Sequence, residues 1–92
     1  AACRARLAEY ELYVGKFYYK KGSYIAALGR LEKLLKDYPG SAVEPDVLYY
    51  IGLSNQEQGN KAKAISAFEA LAAKYPDRAK EANGLIAKLK AP

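Results

Sequence analysis

The sequence contains no histidine, no tryptophan and no methionine, and its one cysteine is Cys3. Without histidine there can be no Ser-His-Asp triad, no Cys-His pair and no imidazole-ligated metal. A single cysteine rules out an intrachain disulfide framework and a cysteine-based zinc site. Long hydrophobic runs are missing too. A run such as Val47–Ile51 falls far short of the ~18 apolar residues that span a bilayer. The opening Ala1-Ala2-Cys3-Arg4 lacks the apolar stretch of a signal peptide. Alternating β-branched runs are absent, so nothing supports strands or a glycine-rich phosphate loop after one. Carboxylates do not converge: Glu9 and Glu11 fall on different faces of a helix, Asp37 lies beside a helix end, and Asp77 reads as a helix N-cap. No catalytic residue, metal ligand or cofactor site is expected, and the chain reads as a non-enzyme.

What is present is helix-forming material. Of 92 residues, 51% are hydrophobic, too many for a disordered tail. Alanine, the best helix former, is abundant, and tyrosine occurs nine times. The length makes one domain. Fifteen Lys and Arg against ten Asp and Glu leave a formal charge of +5. The excess sits at the two ends: residues 1–36 and 77–92 are basic and the middle is acidic. Only Lys20 and Lys21 are adjacent, so the basic residues form no run and no nucleic acid is expected. A basic flank suits an acidic protein partner, or docking near anionic lipid.

Sliding the chain by 37 residues superposes it on itself. Gly15 meets Gly52, Gly22 meets Gly59, Ala27 meets Ala64, Leu31 meets Phe68, and Tyr38-Pro39 meets Tyr75-Pro76. Chance does not align glycines, a proline and this many apolar positions, so the chain is an internal repeat. Each unit reads as two helices. In the first unit, Leu7, Tyr10, Val14, Phe17 and Tyr18 recur at helical spacing up to a break at Gly22-Ser23. A second helix carries Tyr24, Ala27, Leu28, Leu31, Leu34 and Leu35 and stops at Pro39-Gly40. In the second unit, Leu48, Ile51, Gly52 and Asn55 line one helix. Gly59-Asn60 turns the chain, and Ala64, Ile65, Phe68 and Leu71 line the next. Ser41 and Glu44 have capping-box spacing, with Pro45 awkwardly placed behind them. A last helix near 78–90 shows Ala79, Ala82, Ile86 and Leu89, and would cap the open face of the second unit.

These residues resemble the tetratricopeptide repeat. Its small first-helix residue appears as Gly15 and Gly52, its turn glycine as Gly22 and Gly59, its close-contact alanine as Ala27 and Ala64. Its bulky residue appears as Leu31 and Phe68, and its final proline as Pro39 and Pro76. Glu11, Asn55, Leu34 and Leu71 depart from the usual pattern. The string from Arg6 to Leu28, with Asp37-Tyr38-Pro39, is similar to the C-terminal repeats of the BamD family of outer-membrane assembly lipoproteins. The resemblance implies an all-α, right-handed α-solenoid: repeat one at about 5–39, repeat two at about 42–76 and a capping helix at about 78–90. It also implies a C-terminal piece of a longer chain, attached to the outer membrane only through an upstream lipid anchor. Cys3 is third, not first, and reads as a plain helix cysteine. The implied role is a periplasmic scaffold in β-barrel protein assembly, whose partners are subunits of that machinery or unfolded outer-membrane proteins. A Tol-Pal coordinator and a co-chaperone-type peptide binder stay open as alternatives.

In such a fold the first helix of each unit lines the concave groove. That places Glu9, Leu12, Tyr13, Lys16, Tyr19 and Lys20 there from unit one, and Asp46, Tyr49, Tyr50, Leu53, Gln56 and Glu57 from unit two. The partner-binding candidates are Arg4, Arg6, Tyr13, Lys16, Tyr19, Lys20, Tyr49, Leu53 and Gln56. Tyrosine offers contact area and a hydrogen bond at low entropic cost. Tyr10, Tyr18 and Tyr24 are expected to pack between helices instead. With Leu7 unpartnered, the outer face of the opening helix would favour pairing of two copies.

Overall fold

The computed structural model describes residues 2–91, with side chains from Arg6 to Ala91. It is all-α: α1 (Ala2–Lys21), α2 (Tyr24–Asp37), α3 (Glu44–Glu57), α4 (Lys61–Lys74) and α5 (Ala79–Lys90), with a 3₁₀ turn at Pro76–Arg78. There is no strand among the described residues. The helices stack in sequence order into a slab of 45 × 29 × 17 Å. This is the arrangement of stacked helix pairs that the resemblance to the tetratricopeptide repeat implied, with each helix lying on its chain neighbours.

The repeat is visible in the backbone itself. Gly22 and Gly59 end α1 and α3 at φ +88° and +80°, the left-handed region where a side chain is strained. Each closes a Schellman turn. The Ser23 N–H donates to the Tyr18 carbonyl (2.9 Å) and the Gly22 N–H to the Tyr19 carbonyl (3.0 Å). In the second unit Asn60 donates to Asn55 (2.9 Å) and Gly59 to Gln56 (3.1 Å). Ser23 and Asn60 then begin α2 and α4 at almost the same dihedrals. A chain that turns the same way twice brings the same faces together twice.

Those faces are notched. A Cβ built on Gly15 would lie 2.6 Å from Leu31 Cδ2, and one on Gly52 would lie 2.6 Å from Phe68 Cζ. Leu31 and Phe68 are both fully buried. Absence of a side chain on one helix therefore lets a bulky one on the next seat against its backbone, and close packing follows. Two cores result, the first spanning the two units and the second joining unit two to the last helix. The first joins Ala8 and Leu12 of α1 to Leu31 and Leu34 of α2, Val47 and Ile51 of α3, and Ala67 of α4. The second joins Leu48, Ala64, Phe68 and Leu71 to Ala82 and Ile86 of α5.

Four local expectations are corrected. The apolar stripe of α1 does not face the core. Leu7, Tyr10 and Phe17 are at least half exposed, and the buried face is Ala8, Leu12 and Gly15. The helix is apolar on two sides, and the small side packs on α2. Tyr10 accordingly does not pack between helices, being 61% exposed. The capping box does not form. Val43 is the N-cap of α3, without a side-chain bond, and Pro45 sits in the first turn where its missing N–H costs nothing. Asp77 does not cap α5: it lies inside the 3₁₀ turn, and α5 starts behind Arg78 with no side-chain cap.

One buried polar atom stands alone. Ser54 is fully buried, and its Oγ has no hydrogen-bond partner among the described residues. Burying an unpaired hydroxyl costs about 1–3 kcal/mol, and alanine is the better helix former. Ser54→Ala is expected to raise the unfolding free energy by about 1 kcal/mol in a urea titration. A loss of stability would mean that the hydroxyl is satisfied.

Candidate partner-binding face

The first helices of the two units present their tyrosines to one another. On α3, Asp46, Tyr49, Tyr50, Leu53, Gln56 and Glu57 recur every three or four residues and share a stripe. On α1, Lys16, Tyr19 and Lys20 do the same. Where the stripes meet, the rings form a continuous ladder. Tyr24 lies 5.6 Å from Tyr19, Tyr19 lies 5.4 Å from Tyr50, and Tyr50 lies 5.3 Å from Tyr49, the last two pairs edge to face. Tyr49 continues to Phe68 at 6.4 Å. Phe68 is wedged against Gly52, so the ladder is anchored in the notch that seats α4 on α3.

Cations cover the two rings from α3. Lys16 Nζ sits 5.6 Å from the Tyr50 centroid and the Arg78 guanidinium 5.8 Å from that of Tyr49. Arg78 also binds Asp46 of α3 (3.0 Å) and Glu81 of α5 (3.2 Å), which fastens the last helix to the second unit. Burial raises the Tyr19 hydroxyl pKa, with Glu57 and the neighbouring tyrosines adding to it. Burial does the same for Tyr49, helped by Glu81 and Tyr50 and opposed by Arg78. The Tyr19 and Tyr49 phenols therefore stay neutral at physiological pH, ready to donate a hydrogen bond.

The sequence candidates divide between this face and others. Lys16, Tyr19 and Tyr49 are brought together through Tyr50. Lys20 is exposed one turn on from Lys16. Leu53 is half-buried against the second core, and Gln56 is exposed at the end of the α3 stripe. Tyr13 does not join them. It is 68% exposed and borders a hollow of about 350 Å³ with Tyr10, Val14, Phe17, Tyr18 and Arg30 on the outer side of α1. Leu12, expected in the groove, is buried in the first core. Arg6 is exposed near the start of α1. The side chains of Arg4 and Cys3 lie outside the described residues. Asn55 is buried and donates from Nδ2 to the Ile51 carbonyl (3.1 Å), so it offers nothing to a carboxylate in the groove.

Two residues that matter were not among the partner-binding candidates. Arg78 was legible only as one more basic residue, since its partners Asp46 and Glu81 are fixed by the stacking of α5. Glu44 is the other. It is 1% exposed, yet charged. Its carboxylate accepts from the Tyr75 hydroxyl (2.6 Å) and the Gly40 N–H (2.8 Å) and pairs with Lys74. Burial alone would raise its pKa. The hydrogen bonds from Lys74, Tyr75 and Gly40, with the Lys74 charge, prevail and lower it. In return the hydrogen bond to Glu44, aided by burial, pushes Tyr75 up to about 12. Glu44 thus ties the loop between the units to the end of α4. Among the described residues no group of three or more His, Cys, Asp or Glu could hold a metal ion.

Comparison with known proteins decides the family. The family model described as outer membrane lipoprotein, YfiO, matches residues 1–57, and a tetratricopeptide repeat model matches residues 46–78. The chain belongs to the YfiO family of outer-membrane lipoproteins. Two outer membrane protein assembly factors named BamD are similar to it, both from Xylella fastidiosa. The one from strain 9a5c is 35% identical over 74 residues, and the one from strain Temecula1 is 34% identical over 74. Each alignment covers 80% of this chain and 25% of the relative. The chain thus spans about a quarter of the length of these YfiO-family relatives. No solved structure matches it significantly. The family match runs through α1, α2 and α3, the helices that carry the tyrosine ladder.

Proposed function

We propose that this chain is a non-catalytic scaffold for outer-membrane protein assembly, held at the periplasmic side of the outer membrane and gripping other proteins of that machinery. The observation that carries the reading is the ladder of Tyr24, Tyr19, Tyr50 and Tyr49 crossing from one unit to the next under Lys16 and Arg78. Rings held in fixed positions before a partner arrives lose little entropy on binding. Tyrosine and arginine are also the residues in which interface energy concentrates. Its membership of an outer-membrane lipoprotein family, and its likeness to two assembly factors, support that location and that process. The basic start of α1, with Arg6, adds a flank for an acidic partner.

The test is retention of purified periplasmic domains of the assembly machinery on the immobilised protein. Retention is expected, with Tyr50→Ser weakening it by about tenfold or more, the size of an interface hot spot. Arg6→Glu should slow association and steepen no salt dependence, since it removes a rim charge. Retention unchanged by Tyr50→Ser would overturn the assignment of this face.

A further inference from the structure

Four of the five large apolar side chains exposed among the described residues lie on α1: Leu7, Tyr10, Tyr13 and Phe17. Leu7, Tyr10, Val14 and Phe17 alternate spacings of three and four, the rhythm of a coiled-coil seam. Offset by the repeat length, the same positions of α3 are Glu44, Val47, Ile51 and Ser54. All four are buried, and Val47 and Ile51 belong to the core shared with unit one. Helix packing is therefore what this face of the repeat does. The side chains differ in size, however. Val47 and Ser54 are fully enclosed, so a surface shaped like unit one has no room for Tyr10 and Phe17 in their place. The face needs a wider socket, and α1 carries one itself. The hollow of about 350 Å³ is walled by Tyr10, Tyr13, Val14 and Phe17, with Tyr18 and Arg30 beside them. Positions i, i+3, i+4 and i+7 are the four corners of the hole that receives a knob from a facing helix.

We infer that the outer face of α1 is a self-association surface, on which a second copy of this chain lays its own α1 antiparallel across a two-fold axis. In that register Tyr10 of each copy enters the hollow of the other, opposite Val14, and Leu7 meets Phe17. Each ring then faces an aliphatic side chain, so large and small interdigitate. A parallel pair would press Tyr10 on Tyr10 and Phe17 on Phe17. An isologous contact of this kind closes on two copies and builds no fibre. The four exposed side chains offer roughly 450 Å² per copy, at ~200 Å² for a whole one. Pairing buries about 900 Å² before their flanks are counted, near the ~1,200 Å² where standard interfaces begin, which gives a weak dimer. The rim is basic. Arg6, Lys21 and Arg30 stand against Glu11; Lys21 lies over Phe17 (5.5 Å), and Glu11 is already paired with Arg30 (3.9 Å). Two copies therefore repel at long range, and salt tightens the dimer. An anionic lipid surface on this face would show the opposite sign, and a fluid surface has no knob to seat in the hollow. The inference goes beyond the scaffold reading, since it holds whatever the ladder grips.

Sedimentation equilibrium of the whole chain tests it. A reversible monomer–dimer equilibrium is expected, with a dissociation constant of about 1–100 µM. It should tighten several-fold between about 50 mM and 500 mM salt. Tyr10→Glu should weaken it by about tenfold or more. At a concentration where both are monomeric, that variant should melt with the parent, because Tyr10 is exposed. A cross-link reads the register. In a Cys3→Ser background, chains with Leu7→Cys mixed with chains with Phe17→Cys should form a disulfide between the two under oxidised glutathione, and Phe17→Cys alone should not. The inference is overturned by a chain that stays monomeric to about 1 mM, by a dimer indifferent to Tyr10→Glu, by a dimer that salt dissociates, or by cross-linking of Phe17→Cys to itself. Adsorption of the monomer to phosphatidylglycerol vesicles without self-association would also overturn it, and would give the face to a membrane.

Discussion

Glu44→Ala is expected to lower the unfolding free energy by about 3 kcal/mol, which for a domain of this size lowers Tm by roughly 15 °C. The carboxylate is buried and receives the Tyr75 hydroxyl, the Gly40 N–H and the Lys74 ammonium. Deletion leaves two donors in a part-buried place without an acceptor. Lys74 is half exposed and can return to water, which keeps the cost at the lower end for a broken buried pair. Glu44→Gln should cost less, about 1–2 kcal/mol, because the amide oxygen still accepts from the Gly40 N–H while the Tyr75 hydroxyl can turn to accept from the amide NH2. The charge shows itself in the pH dependence. The folded-state pKa of Glu44 is lowered, so its contribution is complete above the ordinary value near 4.5 and is lost as pH falls through the folded value. Tyr75 is raised from 10.0 to about 12, so its contribution is complete below pH 10 and is lost as pH climbs towards 12. Urea titrations at several pH values should therefore show wild type losing its margin over Glu44→Gln at both extremes. A margin constant from pH 3 to pH 11 would remove the charge from the account.

The helices, their turns and the notches were legible because each is a local or pairwise demand that a sequence writes twice. Gly22 and Gly59 must turn left-handed, and Gly15 and Gly52 must make room; offset by 37 residues, each confirms the other. Orientation was less legible. On α1 a stripe of large apolar residues lies beside a face of Ala8, Leu12 and Gly15, and periodicity alone favours the large stripe. The structure buries the small one, because α2 brings the bulk in Leu31 and Leu34. The stripes were legible in outline, since helix geometry puts Tyr49 and Tyr50 on one and Lys16 and Tyr19 on another. Which rings touch depends on how far one helix slides along the next, and no residue announces that. Glu44 was misread for a related reason. Three positions after Ser41 it has the spacing of a cap, and nothing nearby reveals Tyr75, 31 residues on, as its partner.

The glycine notch supplies a prediction of comparable size. Gly52→Ala is expected to destabilise the protein by about 2–3 kcal/mol, although alanine is the better helix former by about 1 kcal/mol. The added methyl would sit 2.6 Å from Phe68 Cζ and 2.8 Å from Cδ1. Phe68 is fully buried and cannot swing away. Gly29→Ala is the control, in a helix interior with nothing within 4 Å. It should stabilise by about 0.5–1 kcal/mol. Opposite signs for one chemical change, read by urea denaturation, would show that contact between helices governs the site. The first unit also indicates a rescue. There the notch at Gly15 faces Leu31, a smaller and more pliable side chain than the ring. Phe68→Leu alone opens a cavity and should cost about 1–2 kcal/mol. Combined with Gly52→Ala it should cost less than the two changes summed, because the methyl occupies space that the ring has vacated. Strict additivity in that double-mutant cycle would show that Gly52 and Phe68 do not press on one another, and the nesting of the second hairpin would need another cause.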